Sequence, residues 1–217
     1  MASWIIAVRH GESEANVAFA RGRSMHGVRD ADVALSALGW EQSALLGNDL
    51  LALPASQVPG RVCCSPFERA RQTLRAVEEV GAAAGRDPLP VTFDARLRDR
   101  GMGVLELLTP EGIRERFPAE ARRREREGEA VYRPPGGESV GDVEARVREF
   151  LGDAVARPGP PLLLVTHDAV VLALRGLLGP PPPGDTRVIN ASMARWWREG
   201  AGSWRLVDWN RIARPGH

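Results

Sequence analysis

A chain of 217 residues with 43% hydrophobic residues and a formal net charge of +1 has enough apolar material for one sizeable core. The balanced charge leaves no electrostatic footprint for nucleic acid, and no apolar run approaches the ~20 residues of a membrane span. All 29 basic residues are arginines, a uniformity that reads as codon bias rather than as 29 separate needs for a guanidinium.

The first predicted element is a short buried strand over 3–8, "SWIIAV". It lacks the charged start and long apolar run of a signal peptide, so a cytoplasmic protein is expected. "ESEANVAF" has helical character, and 20–35, broken by Gly22 and Gly27, reads as a surface loop. Ser36 caps a helix predicted over 37–53, with Leu38, Leu45, Leu46 and Leu50 toward a core. "RVCCS" is a second strand. Its neighbours Cys63 and Cys64 cannot form an ordinary disulfide, and two cysteines make no zinc site, so they read as small buried residues of a reducing compartment. "SPFE", Ser65 to Glu68, predicts a capping box opening a helix that carries Ala70, Leu74, Val77 and Val80.

"PVTFD" is a third strand, followed by the polar loop "ARLRDRGMG". Thr109-Pro110 starts a charged helical stretch interrupted by Pro118 and laced with pairs such as Glu120/Arg124, expected as a helical cap over about 103–135. Ser139 and Asp142 predict a capping-box start for a helix to about 156. "PLLLVTH" is apolar enough to be a central strand buried on both faces. "DAVVLALRGLL" is a helix ended by "GPPPPG", and 188–197 and 203–209 read as a hairpin at a sheet edge. Strands alternating with helices as far as Leu178 imply one α/β domain over 1–217, a three-layer α/β/α sandwich around a mostly parallel sheet.

Such sheets bind ligands at the carboxyl ends of their strands. There the sequence places Arg9-His10-Gly11, Ser65-Pro66 with Arg69 in the next turn, Arg96 to Arg100 with Asp99, and Thr166-His167-Asp168. Two of only four histidines close two strands. Two guanidiniums and helix N-termini make a cradle for a phosphate dianion. A neutral imidazole can attack phosphorus there, a second can stabilise the transferring charge, and a carboxylic acid, Asp99 or Asp168, can protonate the leaving oxygen. Asp168 can instead simply cap the helix it opens.

"RHGES" with Asn16, "SPFERARQT", "LRDRGMG", "PGGES" and "VTHDAVV" resemble, in order, the motifs of the histidine phosphatase superfamily. That family includes the cofactor-dependent phosphoglycerate mutases, the bisphosphatase domain of fructose-2,6-bisphosphate metabolism and many broad phosphatases. The resemblance covers nearly the whole chain. It implies a phosphoglycerate mutase-like fold and a metal-independent, cofactor-free phosphatase acting on a small phosphorylated metabolite. It implies His10 as the phosphorylated nucleophile, Arg9, Arg69 and His167 as the rest of the phosphate pocket, and Asn16 as a further contact. The family's acid stands in an L-R-E sequence; here that is Leu97-Arg98-Asp99, one methylene shorter. Its other branch uses the aspartate after the second histidine, here Asp168. The mutases carry an E-R-H-Y-G-like stretch where this chain has "DRGMG", which favours hydrolysis. A mutase-type transfer and a low-turnover module that binds phosphorylated ligands are the alternatives. Arg21, Arg23 and His26 are candidate substrate contacts, and arginines of 114–126 could hold a second anion. Trp196, Trp197, Trp204 and Trp209 either cover the sheet edge or mark a dimer contact, so monomer and homodimer both stand.

Overall fold

The computed structural model describes residues 2–156, 159–179 and 187–213. Six strands form one sheet: β1 (Ala2–Arg9), β2 (Arg61–Cys64), β3 (Val91–Phe93), β4 (Leu162–Thr166), β5 (Met193–Glu199) and β6 (Arg205–Arg211), in the spatial order β3-β2-β4-β1-β5-β6. The first four are mutually parallel; β5 runs antiparallel to β1 and carries β6 at the edge. The helices are α1 (Glu14–Ala20), α2 (Ala37–Leu51), α3 (Glu68–Ala83), α4 (Pro110–Arg116), α5 (Pro118–Glu127), α6 (Val140–Ala154) and α7 (Asp168–Leu177).

The three layers follow from alternation along the strands, whose successive side chains point to opposite faces. On one face Ile6, Val8, Leu163 and Val165 pack with Leu46 and Leu50 of α2 and Leu74 of α3. On the other, Ile5, Ala7, Leu162 and Leu164 pack with Val147 and Phe150 of α6, Leu174 of α7 and Trp196. β4 is buried at all five positions, as its unbroken apolar run requires. A smaller cluster of Leu105, Ile113 and Tyr132 sits beneath α4 and α5.

Several local expectations are corrected. Leu38 lies on the outer face of α2 and is 48% exposed. The pattern at its N-terminus runs past the point where the helix meets the core. α2 and α6 end two residues earlier than expected. "SPFE" is no capping box: α3 begins at Glu68 with Phe67 as its cap residue and no side-chain cap bond. Residues 188–192 are loop, and the strand begins only at Met193, after Ala191 has taken a left-handed φ of 53°. Glu120 pairs with Arg123 rather than Arg124, which turns to Glu129. The expected stop at "PPPPG" lies outside the described residues. The Ser139/Asp142 capping box and the Thr109 cap ahead of Pro110 form as read.

Gly11 and Gly39 let the loop after β1 lie against the first turn of α2. A Cβ on Gly39 would run into the carbonyl of Glu12, and one on Gly11 into the carbonyl of Gly39 and the hydroxyl of Ser43. Gly11 is thus needed for close packing, and its φ is not in the left-handed region. Gly39→Ala is expected to cost about 3 kcal/mol by overpacking and to lower Tm by about 6–12 °C in a thermal melt.

Candidate active site

Sheet order creates the site. β1 and β4 are adjacent and parallel, with Arg9 opposite Thr166. The chain leaves β1 toward the α2–α3 face and leaves β4 toward the α6–α7 face. The crevice between the two departures is where an open α/β sheet binds ligand, and the next residue of each strand is a histidine. The rings of His10 and His167 lie 5.1 Å apart, edge to face. One nitrogen of each and a carboxylate oxygen of Asp99 fall within 4.8 Å of one another.

His10 is buried. Its Nδ1 lies 2.7 Å from the carbonyl oxygen of Gly11, which can only accept, so Nδ1 carries the proton and Nε2 keeps its lone pair. Arg69 Nε donates to that Nε2 at 3.2 Å. Burial, then His167, Arg69 and Arg9, hold His10 well below the usual histidine range. His167 is fully buried and likewise lowered, by burial and by Arg69 and Arg9. Its Nε2 bonds the Ser65 hydroxyl at 2.8 Å, while Nδ1, 3.5 Å from Asp99, has no hydrogen-bond partner. This is why "SPFE" fails as a cap: the Ser65 hydroxyl turns to His167 and to the Phe67 N–H instead.

Arg69 is buried and makes five hydrogen bonds, as many as a guanidinium has N–H groups. One goes to His10, three to the carboxylate and carbonyl of Asp30, and one to Asp99 Oδ2 at 3.0 Å. Asp30 escaped the sequence reading because it sits in the stretch taken for a solvated loop. A 3-10 turn, Asp30–Asp32, anchored by buried Val33, brings it in. Burial pushes Asp30 up against the pull of Arg69. Arg9 donates to Val188 O at 2.6 Å and lies 3.4 Å from Asp168, whose carboxyl is raised by desolvation and by the charge of Asp99.

Asp99 is positioned from three sides. Its Oδ1 accepts from Arg100 N, its carbonyl accepts from Arg146, and Thr166 ties the preceding Leu97 carbonyl to the end of β4. Asn190, also missed, donates to the carbonyls of His10 and Gly11 and to Asn16 Oδ1, holding the loop after β1. Asn16 completes a capping box with Ser13 and lines the cavity. Arg21 is exposed at the end of α1 and does not line the cavity. His26 is paired with Arg116.

A cavity of about 650 Å³ is lined by Arg9, His10, Asn16, Arg69, Asp99 and Asp168 among others. Glu106 lines it too, accepting from Met102 N, and burial with the charges of Asp30 and Asp99 pushes it up to about 7. A carboxyl raised on folding favours the native state below its unfolded value of 4.5, and that advantage is lost as pH rises through about 7. Glu106→Gln is therefore expected to match wild type in Tm at pH 4.5 and exceed it at pH 8 by a few degrees. That corresponds to about 1 kcal/mol after discounting for partial exposure.

The histidine phosphatase superfamily (branch 1) matches residues 5–212. Phosphoglycerate mutase-like protein AT74 of Arabidopsis thaliana is 36% identical over 145 residues, 64% of this chain and 42% of that one. The chain thus spans less than half the length of this plant relative. Glucosyl-3-phosphoglycerate phosphatase of Mycolicibacterium vanbaalenii is 28% identical over 97% of this chain and 95% of its own. A solved mycobacterial glucosyl-3-phosphoglycerate phosphatase in complex with VO3 superimposes with a TM-score of 0.71 at 30% identity, covering 95% of this chain and 98% of that one. With its phosphoglycerate mutase-like sheet and its match over residues 5–212, the chain belongs to the histidine phosphatase superfamily, branch 1.

Proposed function

We propose that the protein is a phosphomonoester hydrolase working through a phosphohistidine on His10. The observation that carries this is the tautomer and setting of His10. It is a buried, neutral imidazole with Nδ1–H fixed on the Gly11 carbonyl and Nε2 turned to Arg69, lining a cavity together with Arg9 and Asp99. In the first step Nε2 attacks phosphorus and forms the N–P bond while the P–O bond to the alcohol breaks. The alkoxide leaves with a proton from the acid, Asp99 in this reading. In the second step water attacks phosphorus and forms a P–O bond while the N–P bond to His10 Nε2 breaks, the water's proton returns to the carboxylate, and inorganic phosphate leaves with the neutral imidazole restored. Arg9, Arg69 and the His167 Nδ1–H meet the charge on the transferring group, so the chemistry is complete without a metal ion.

Hydrolysis is favoured over mutase-type transfer by the stretch that begins at the acid, where this chain has Asp99-Arg100-Gly101-Met102-Gly103 in place of the mutases' E-R-H-Y-G-like sequence. The test is phosphate release from an aryl phosphate and a panel of sugar phosphates in EDTA. Release that survives the chelator and disappears in His10→Ala is expected. Equal release by both proteins, or none from any ester, would sink the hydrolase reading.

A further inference from the structure

The "PGGES" stretch, 135–139, lines no part of the cavity, yet it grips the loop that carries Asp99. Asp99 stands between two 3-10 turns, Ala95–Leu97 and Gly103–Leu105, outside every strand and helix. The rigid base for this loop is α6. Its inner face is buried in the core through Val143, Val147 and Phe150, and its Ser139/Asp142 capping box fixes its first turn. From that base buried Arg146 donates to the carbonyls of Arg96 and Asp99. The same guanidinium forks onto both carboxylate oxygens of Glu138 at 2.9 and 3.1 Å.

Glu138 holds the rest of the loop. Its Oε2 accepts from Gly101 N at 3.0 Å and its Oε1 from Arg98. Its own N–H donates to the Gly101 carbonyl at 2.8 Å, and its carbonyl accepts from Arg100 Nε at 2.7 Å. Two glycines let the segments meet backbone to backbone. A Cβ on Gly137 would strike the Gly101 carbonyl, and one on Gly103, whose φ is 55°, the Pro135 carbonyl. Desolvation would raise the Glu138 carboxyl, but Arg146, the Gly101 N–H and Arg98 outweigh it and hold it below the usual range. A buried ion pair is a weak source of stability, since apolar replacements are often neutral or better. What this pair supplies is a set of donors and acceptors aimed at one loop, on both sides of the acid.

We propose that Glu138 and Arg146 are positioning residues for proton donation: from outside the cavity they fix where the Asp99 carboxyl stands against the leaving oxygen. This rests on the hydrolase reading above, with Asp99 as its acid. Displacing a reacting group by about 1 Å through a change away from the chemistry can cost about 100-fold. For an acid that loss falls on esters whose leaving group needs the proton.

The test compares kcat/KM of wild type and Arg146→Lys on the sugar phosphate hydrolysed fastest and on 4-nitrophenyl phosphate. Lysine keeps the charge and loses the fork. The sugar phosphate is expected to lose about 30-fold and the aryl ester about threefold or less. The ratio of the two rates in one preparation does not depend on the folded fraction. Glu138→Gln, expected to move that ratio in the same direction, reads the pair from its other member. In an Asp99→Asn background Arg146→Lys should cost the sugar phosphate nothing further, because it acts through the acid. Equal losses on both esters, or a full further loss in that background, would overturn the proposal and leave His10-dependent hydrolysis standing. If no sugar phosphate is turned over, amide hydrogen exchange decides the positioning. The Arg100 N–H, bonded to Asp99 Oδ1, should then exchange at least about tenfold faster in Arg146→Lys, and unchanged exchange would overturn the proposal. The hydrolase reading itself fails only when 4-nitrophenyl phosphate is spared as well.

Discussion

His10→Ala is expected to lower phosphate release by about 10⁵-fold, because removing a nucleophile that acts as part of a unit costs nearly the whole covalent pathway. A rapid-quench measurement with an aryl phosphate reads the effect, and the wild type should show an acid-labile, base-stable phosphoprotein that the variant lacks. The pH profile separates this residue from a merely structural histidine. Burial and the neighbouring Arg69 and Arg9 keep His10 neutral well below the usual histidine range. The acid limb of kcat/KM should therefore lie clearly under pH 6.5, and activity should persist where an ordinary histidine is already charged. Stability moves the other way. His10 and His167 are both depressed, so the unfolded chain takes up protons that the native state refuses, and Tm should fall as pH drops below about 6.5. A variant that keeps measurable phosphohistidine, or an acid limb at 6.5, would remove His10 as the nucleophile.

The sequence made the strands and the histidines legible for the same reason. Apolar runs that stop at a polar residue mark both a parallel strand and its carboxyl end, so "IIAVRH" and "LLLVTH" announced the edge on which the site is built. Asp30 and Asn190 could not be found that way. Each lies in an irregular segment, and each reaches the site through pairing across the chain, Asp30 to Arg69 and Asn190 to the His10 carbonyl. A signal did exist for Asp30: the apolar Val33 and Leu35 around it are both buried, which a solvated loop would not require. Ser65 shows the opposite failure. Its local pattern fitted a cap well, and a long-range bond to His167 won, as tertiary partners routinely override local ones. The constraint on Gly11 was not legible either, because the contact that forbids a side chain there comes from α2, a helix nearly thirty residues on in the chain.

The shortened acid gives the most discriminating expectation. Asp99→Asn should cost about 10³-fold on an alkyl phosphate, whose alkoxide needs a proton, and about tenfold or less on 4-nitrophenyl phosphate, whose anion leaves unaided. Measuring kcat/KM for both esters isolates proton donation from binding, since both lose equally if Asp99 only orders the pocket. The aspartate is matched to its surroundings. Oδ2 reaches Arg69 Nη2 at 3.0 Å and Oδ1 reaches Arg100 N at 2.8 Å, so the carboxyl already spans its partners without the missing methylene. Asp99→Glu should accordingly lower the rate by about tenfold or more through misplacement, whereas a gain would mark a degraded acid and favour the low-turnover binding role. The Arg69 bond also says what substrate must do. With all of its N–H groups engaged, Arg69 can bind a phosphoryl oxygen only by releasing an acceptor. His10 Nε2 must give up its bond from Arg69 Nε before its lone pair can attack phosphorus, so that N–H is the one freed for the phosphoryl group, while Asp30 and Asp99 keep theirs. Asp168 is the control. It remains tied to Arg9 at 3.4 Å, and Asp168→Asn should lower both esters alike and only modestly. A loss confined to the alkyl phosphate in that variant would instead move the acid from Asp99 to Asp168.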